Sequence, residues 1–138
     1  MRTNLDRFPF AFCKTLFIVL KLVLMMIDSY RFGNITVEGT KYNRDLIIFP
    51  DHVEDNWWRL KGHELHVLDL KSVFEYEPEV LVVGKGAYGL MKITEEAADL
   101  LHEKDIWVVA SNTKEACEEF NFLLREGKEV VAALHLTC

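Results

Sequence analysis

Cysteine is scarce in this sequence and builds no framework. Cys13, Cys117 and Cys138 are odd in number and widely spaced, which excludes a disulfide scaffold and points to a reducing compartment, taken here as the cytoplasm. Clustered positive charge is also missing: no group of Lys and Arg gathers after residue 27, and the net charge is −6. A nucleic-acid surface needs a basic patch to neutralise phosphates, so that class of partner is excluded. No long apolar run is present either. The stretch Thr15 to Ile27 is broken by Lys21, leaving segments far below the ~20 residues a helix needs to span a bilayer. Repeats, low-complexity tracts and interdomain linkers are absent. The 138 residues read as a single domain, large enough to bury a core unaided.

Residues 1–26 form an apolar extension, with Arg2, Arg7 and Lys14 ahead of the apolar stretch in the charge order of a signal peptide but with no small-residue cleavage site after it. Met25 and Met26 directly precede the first domain-like residues. The expectation is that the natural chain begins there and that the residues before them come from an upstream start assignment, leaving 27–138 as the domain. A membrane role is expected only if the extension is genuine.

What is present is organised around Val80-Leu-Val-Val-Gly-Lys-Gly-Ala-Tyr-Gly89, an apolar run ending in Gly84, Gly86 and Gly89. The spacing matches G-x-G-x-x-G, in which backbone N–H groups approach a phosphate at a helix N-terminus. A dinucleotide site requires the helix to open within the glycines and an acidic residue to follow the next strand. Here Leu90 to Ile93 intervene before Thr94 caps the helix, and the next strand ends in Ala110-Ser111-Asn112. Both tests fail, so no nucleotide cofactor is assigned. The glycines read instead as a tight strand-to-helix turn in a Rossmann-like βαβ unit, with room for a small anion served by Arg59, Lys85 and Lys92.

Short alternating strands are expected at Ser29 to Phe32, Ile35 to Glu38 and Leu46 to Phe49, the first two as a hairpin. The segment His52 to His66 reads as an irregular connection whose Trp57 and Trp58 serve a core or interface rather than a ligand platform. Asp69 is expected to cap a short helix to Glu75 with Leu70, Val73 and Phe74 inward. Helices follow over Glu95 to about Lys104, capped by Thr94, and Lys114 to Glu126, capped by Thr113. Between them Ile106 to Ala110 is continuously apolar, as for a parallel strand covered on both faces, and the chain closes with the apolar strand Glu129 to Leu136.

Several separated motifs then agree: Tyr30-Arg-Phe-Gly33, Asp45-Leu-Ile-Ile-Phe-Pro-Asp51, Trp57-Trp-Arg59, Gly62-His63, Pro78-Glu-Val-Leu-Val-Val-Gly84, Thr113 with Ala116, and Ala133-Leu-His-Leu-Thr-Cys138. Together they resemble the Mth938-like proteins, small domains that include a mitochondrial complex I assembly factor and an adipogenesis-associated protein. The resemblance runs from about residue 27 to the end. It implies an α/β, three-layer fold: a central mixed sheet, helices packed on it, an additional β layer from the N-terminal hairpins, and a final strand antiparallel to the rest. It brings no enzymatic activity and no cofactor. This chain departs from the pattern at Lys85 and at Lys104-Asp105, where small or glycine residues are usual.

Two further constellations carry chemistry. His63-x-x-His66 with His135-x-x-Cys138 has metal-ligand spacing, but His135 inside an apolar strand reads as a hydrogen-bonded core imidazole. A Cys138–His135 thiolate pair lacks a third group, and Cys117 on a helix face reads as a small hydrophobe. No catalytic, metal or cofactor residue is assigned. The leading expectation is an interaction or assembly module with a protein partner or self-association. The alternative is a small-anion or metabolite binder using Arg59, Gly84, Lys85, Gly86, Tyr88 and Gly89.

Overall fold

A computed structural model of the protein describes residues 24–138. The expectation of an upstream start, and Cys13, fall largely or wholly outside them. Leu24, Met25 and Met26 already pack against the core, and the Glu38 N–H donates to the Met26 carbonyl at 2.9 Å.

The chain opens with a three-stranded antiparallel sheet, β1 (Ile27–Arg31), β2 (Asn34–Val37) and β3 (Thr40–Tyr42). Strand β3 joins the expected hairpin because Glu38 and Gly39 adopt φ of 46° and 78°, the left-handed pair of a two-residue turn. The connection 52–66 is not wholly irregular. After β4 (Leu46–Ile48) it carries the short strands β5 (Val53–Glu54) and β6 (Glu64–Leu65). A 3₁₀ turn (Val67–Leu70) leads into α1 (Lys71–Tyr76). Asp69 is therefore inside that turn and does not cap α1. Its carboxylate accepts from the backbone N–H of Leu60 and of His66.

Then come β7 (Val80–Lys85), β8 (Lys92–Ile93), α2 (Glu95–Glu103), β9 (Trp107–Ser111), α3 (Thr113–Arg125) and β10 (Val130–His135). Thr94 caps α2, its hydroxyl accepting from the Ala97 N–H at 3.1 Å. For α3 the cap is Asn112, whose side chain accepts from the Glu115 N–H, and not Thr113, which has another use.

The central sheet has the order β5-β4-β10-β7-β9. Strand β10 is parallel to β7 and antiparallel only to β4, so the expected antiparallel final strand is corrected. It follows α3 as a crossover from β9, and such a connection returns a parallel strand. Side chains alternate across the sheet. Leu46, Ile48, Val82, Val130, Ala132 and Leu134 enter one core with α3 and the β1–β3 sheet. Ile47, Phe49, Leu81, Val83, Val131 and Ala133 enter the other with Leu70, Val73, Met91 and Leu101. Continuous apolar runs in β7 and β10 follow from burial on both faces. Strand β9 is not so covered: it is the sheet edge, with Trp107 exposed and Val108 and Val109 half-buried.

Candidate functional site

The antiparallel register that pairs Leu134 with Leu46 sets Asp45 opposite His135, where the apolar runs of β4 and β10 meet their polar ends. His135 Nδ1 lies 2.8 Å from Asp45 Oδ2. Arg59 Nη1 donates to the same oxygen at 2.9 Å, and the Leu136 N–H donates to Oδ1 at 2.8 Å. The second guanidinium nitrogen, Nη2, donates to the Gly62 carbonyl and sits 3.2 Å from His135 Nδ1. Since the carboxylate carries no proton and Arg59 keeps all of its own, the proton on Nδ1 belongs to the Asp45 contact. Nε2 is the ring nitrogen left outside this network. It is buried without a partner, as is Arg59 Nε.

The cluster is closed from above by aromatics. The Arg59 guanidinium stands 4.8 Å over the Trp57 ring, and Trp57 Nε1 donates to the Asp69 carbonyl. The His63 ring meets His135 edge-on at 5.9 Å between centroids. Burial pushes the Asp45 carboxyl up, but the hydrogen bonds from His135, Leu136 and Arg59, aided by the His135 charge, outweigh it and hold the group below its ordinary value. The guanidinium and carboxylate charges cancel locally, and the arrangement ties the end of β10 to the segment 57–62.

The glycine loop packs against this cluster. Thr113, fully buried, donates its hydroxyl to the His135 carbonyl at 2.6 Å and accepts the Gly86 N–H at 2.9 Å. A Cβ on Gly84 would stand 2.8 Å from Leu134 Cδ2 and 3.0 Å from Thr113 Oγ1. On Gly86, whose φ is +97°, it would stand 2.8 and 2.9 Å from the carbonyl oxygens of Thr137 and Cys138. These glycines thus admit the chain's own α3 and C-terminal end. Gly89, at φ +68° with open space around it, serves only the turn.

Of the residues predicted to bind a ligand, Arg59, Lys85 and Gly86 gather around His135. Tyr88 and Gly89 lie outward on the loop, and Gly84 is walled by Leu134 and Thr113. Asp45 was missed as the group that pairs Arg59 with His135. The available signal was an acidic residue directly before one apolar strand and a histidine ending another. In the histidine–cysteine quartet, His66 Nε2 contacts Glu64 instead. Among the described residues no group of three or more His, Cys, Asp or Glu is placed to hold a metal ion. Cys117 is buried beside α3's inner face, and burial pushes its thiol up to about 12.

Large apolar side chains of the neighbouring segments reach solvent. Trp58, Leu60, Leu68, Tyr88 and Leu90 are all more than half exposed. Trp58 and Leu60 precede β6, Leu68 lies in the 3₁₀ turn after it, and Tyr88 and Leu90 precede β8; the segments are joined by the β6–β8 pairing and by the Lys92 N–H donating to the His63 carbonyl. Trp57 and Trp58 therefore divide, one over the buried cluster and the other outward.

The family described as "Protein of unknown function (DUF498/DUF598)" matches residues 27–135. The chain is 29% identical over 113 residues to the human NADH dehydrogenase (ubiquinone) 1 alpha subcomplex assembly factor 3, covering 80% of this chain and 60% of that protein. The rat protein of the same name is also 29% identical, over 78% of this chain and 58% of its own length. The chain thus spans less than two thirds of these curated relatives. Among solved structures, a conserved hypothetical protein from Pyrococcus horikoshii is 30% identical with a TM-score of 0.69, over 83% of this chain and all of that one. A Mth938-like domain from Bordetella pertussis shares the fold at 20% identity with a TM-score of 0.59, over 81% and 85% of the two chains. The chain belongs to the DUF498/DUF598 family and has the Mth938-like fold.

Proposed function

We propose that this protein is a non-enzymatic interaction or assembly module that presents the loop end of its central sheet to a protein partner in the cytoplasm. The observation that carries this reading is the exposure of Trp58, Leu60, Leu68, Tyr88 and Leu90 on the segments flanking the paired strands β6 and β8, while Asp45, Arg59 and His135 are spent on one another. Clustered exposed apolar groups of this kind mark contact surfaces, and aromatic side chains supply much of the binding energy in such contacts. Similarity to a complex I assembly factor supports the same class of role. A photo-crosslinking amino acid at Trp58 or Tyr88 is expected to capture a discrete protein in cells, whereas the same group at Phe122, exposed on α3, captures none. Equal labelling from all three positions would sink the proposal.

A second reading keeps a small-ligand site at this end, since His135 Nε2 and Arg59 Nε are buried without partners. A thermal-shift screen against nucleotides, phosphorylated metabolites and divalent metals separates the two. Reproducible stabilisation by one compound, lost in an Arg59→Met variant, favours the ligand.

A further inference from the structure

The β9 edge of the central sheet carries a second surface. Strand β9 pairs only with β7 among the described residues. The Trp107 N–H donates to the Glu79 carbonyl, so Trp107, Val109 and Ser111 turn their backbone groups toward β7. By the alternation of a parallel ladder, the N–H and C=O groups of Val108 and Ala110 face outward, away from β7 and with no strand beside them among the described residues. Beside this edge runs a groove of about 620 Å³, its floor formed by Ile93, Leu101, Ile106 and Val108 and its rim by His102 and Asp105. Past Trp107, which is 73% exposed, the groove continues into a hollow lined by Glu77, Glu79, Glu103 and Asp105 with Lys104 as its one cation.

We propose that this edge receives an extended segment of a partner protein as a sixth strand. The segment alternates apolar side chains, which enter the groove beside α2, with basic ones, at least one of which lies against Trp107 and its acidic surround. Open backbone groups supply the ladder and alternate pockets supply the specificity, as in other strand additions. The charge selects the occupant. Four carboxylates around an exposed indole favour Lys or Arg through both ion pairing and the ring face. They also disfavour a second copy: a two-fold continuation of the sheet would bring two α2 helices onto one face, each exposing Glu95, Glu96, Asp99 and Glu103.

The test uses the full chain and a short synthetic peptide alternating Val and Lys, with a Val–Glu peptide of equal length as control. The Val–Lys peptide is expected to protect the Val108 and Ala110 amides from hydrogen exchange and to shift the Trp107 indole signal. Ala110→Pro is expected to weaken binding about tenfold or more by removing an edge donor. It leaves the thermal midpoint near wild type, because that N–H is outside the β7 ladder. Trp107→Ala, at an exposed site, is expected to weaken binding in parallel. Equal affinity for the Val–Glu peptide, protection that falls on the Trp58 and Tyr88 loops, or binding indifferent to both variants overturns the proposal. So does sedimentation showing a dimer that Ala110→Pro disperses, or edge amides already protected in the free chain and released by removing residues 1–23. Those results would give the edge to a second copy or to the chain's own N-terminal segment.

Discussion

Glycines 84, 86 and 89 share one motif and have three different physical duties. Gly84→Ala forces Leu134 and Thr113 apart in a packed layer, a small-to-large change expected to cost ~2 kcal/mol. Gly86→Ala combines a left-handed φ of +97° with two carbonyl oxygens under 3.0 Å from the new carbon, and is expected to cost ~3 kcal/mol or more. Gly89→Ala meets nothing and is expected to lose about 1 kcal/mol from its dihedral alone. Urea denaturation of the three variants checks the ranking; a phosphate-binding loop gives no reason for it. At Asp45 the carboxyl is held below 3.8 in the folded protein. Its stabilisation is therefore complete above that value and is lost as pH falls through the folded value. Asp45→Asn should be less stable than wild type at neutral pH, with the difference narrowing in acid. Arg59→Met, which leaves Asp45 without its cation in a largely enclosed site, is expected to cost about 3 kcal/mol. Maleimide at neutral pH should modify exposed Cys138 and spare Cys117, whose thiol is buried and pushed up to about 12; peptide mass mapping reads this directly.

The start of α3 separates two roles that a Thr or Asn before a helix usually shares. Asn112 takes the cap, so Asn112→Ala is expected to cost about 1 kcal/mol. Thr113 is released to bridge Gly86 and His135, joining the glycine loop, α3 and β10 through one hydroxyl. Thr113→Val preserves its shape but leaves the buried Gly86 N–H without its acceptor, for an expected loss of ~2 kcal/mol. Equal effects at the two positions would contradict this division of labour. Thr94 ahead of α2 needs no such arbitration, since its capping geometry is decided within four residues. The fate of β9 is likewise decided by its neighbours. An apolar run of five residues is compatible with a central strand, yet among the described residues only one side of β9 is paired.

Across the whole molecule, the packed interior and the exposed apolar loops make separable demands. Trp58→Ser and Tyr88→Ser remove side chains 75% and 71% exposed and are expected to change stability by no more than about 0.5 kcal/mol. The same variants should lose partner capture. A large fall in thermal midpoint would show that these rings support the fold. The family relationship agrees with this division: it accounts for the scaffold from residue 27 to residue 135, and no chemistry is attached to that scaffold by its description.

The sequence by itself determined the elements whose signals are local: the buried strands β7 and β10, the amphipathic helices α2 and α3, the Thr94 cap, and the failure of a helix to open within the glycines. Periodicity and dihedral preference act over a few residues, so one segment can reveal them. Tertiary structure alone decided strand order, the parallel setting of β10 and the edge position of β9, because these depend on which segments meet. It also decided the Asp45–His135 pair, 90 residues apart in the chain, and with it the meaning of Arg59. A charge that reads as an anion site in isolation becomes, in the fold, half of a buried pair.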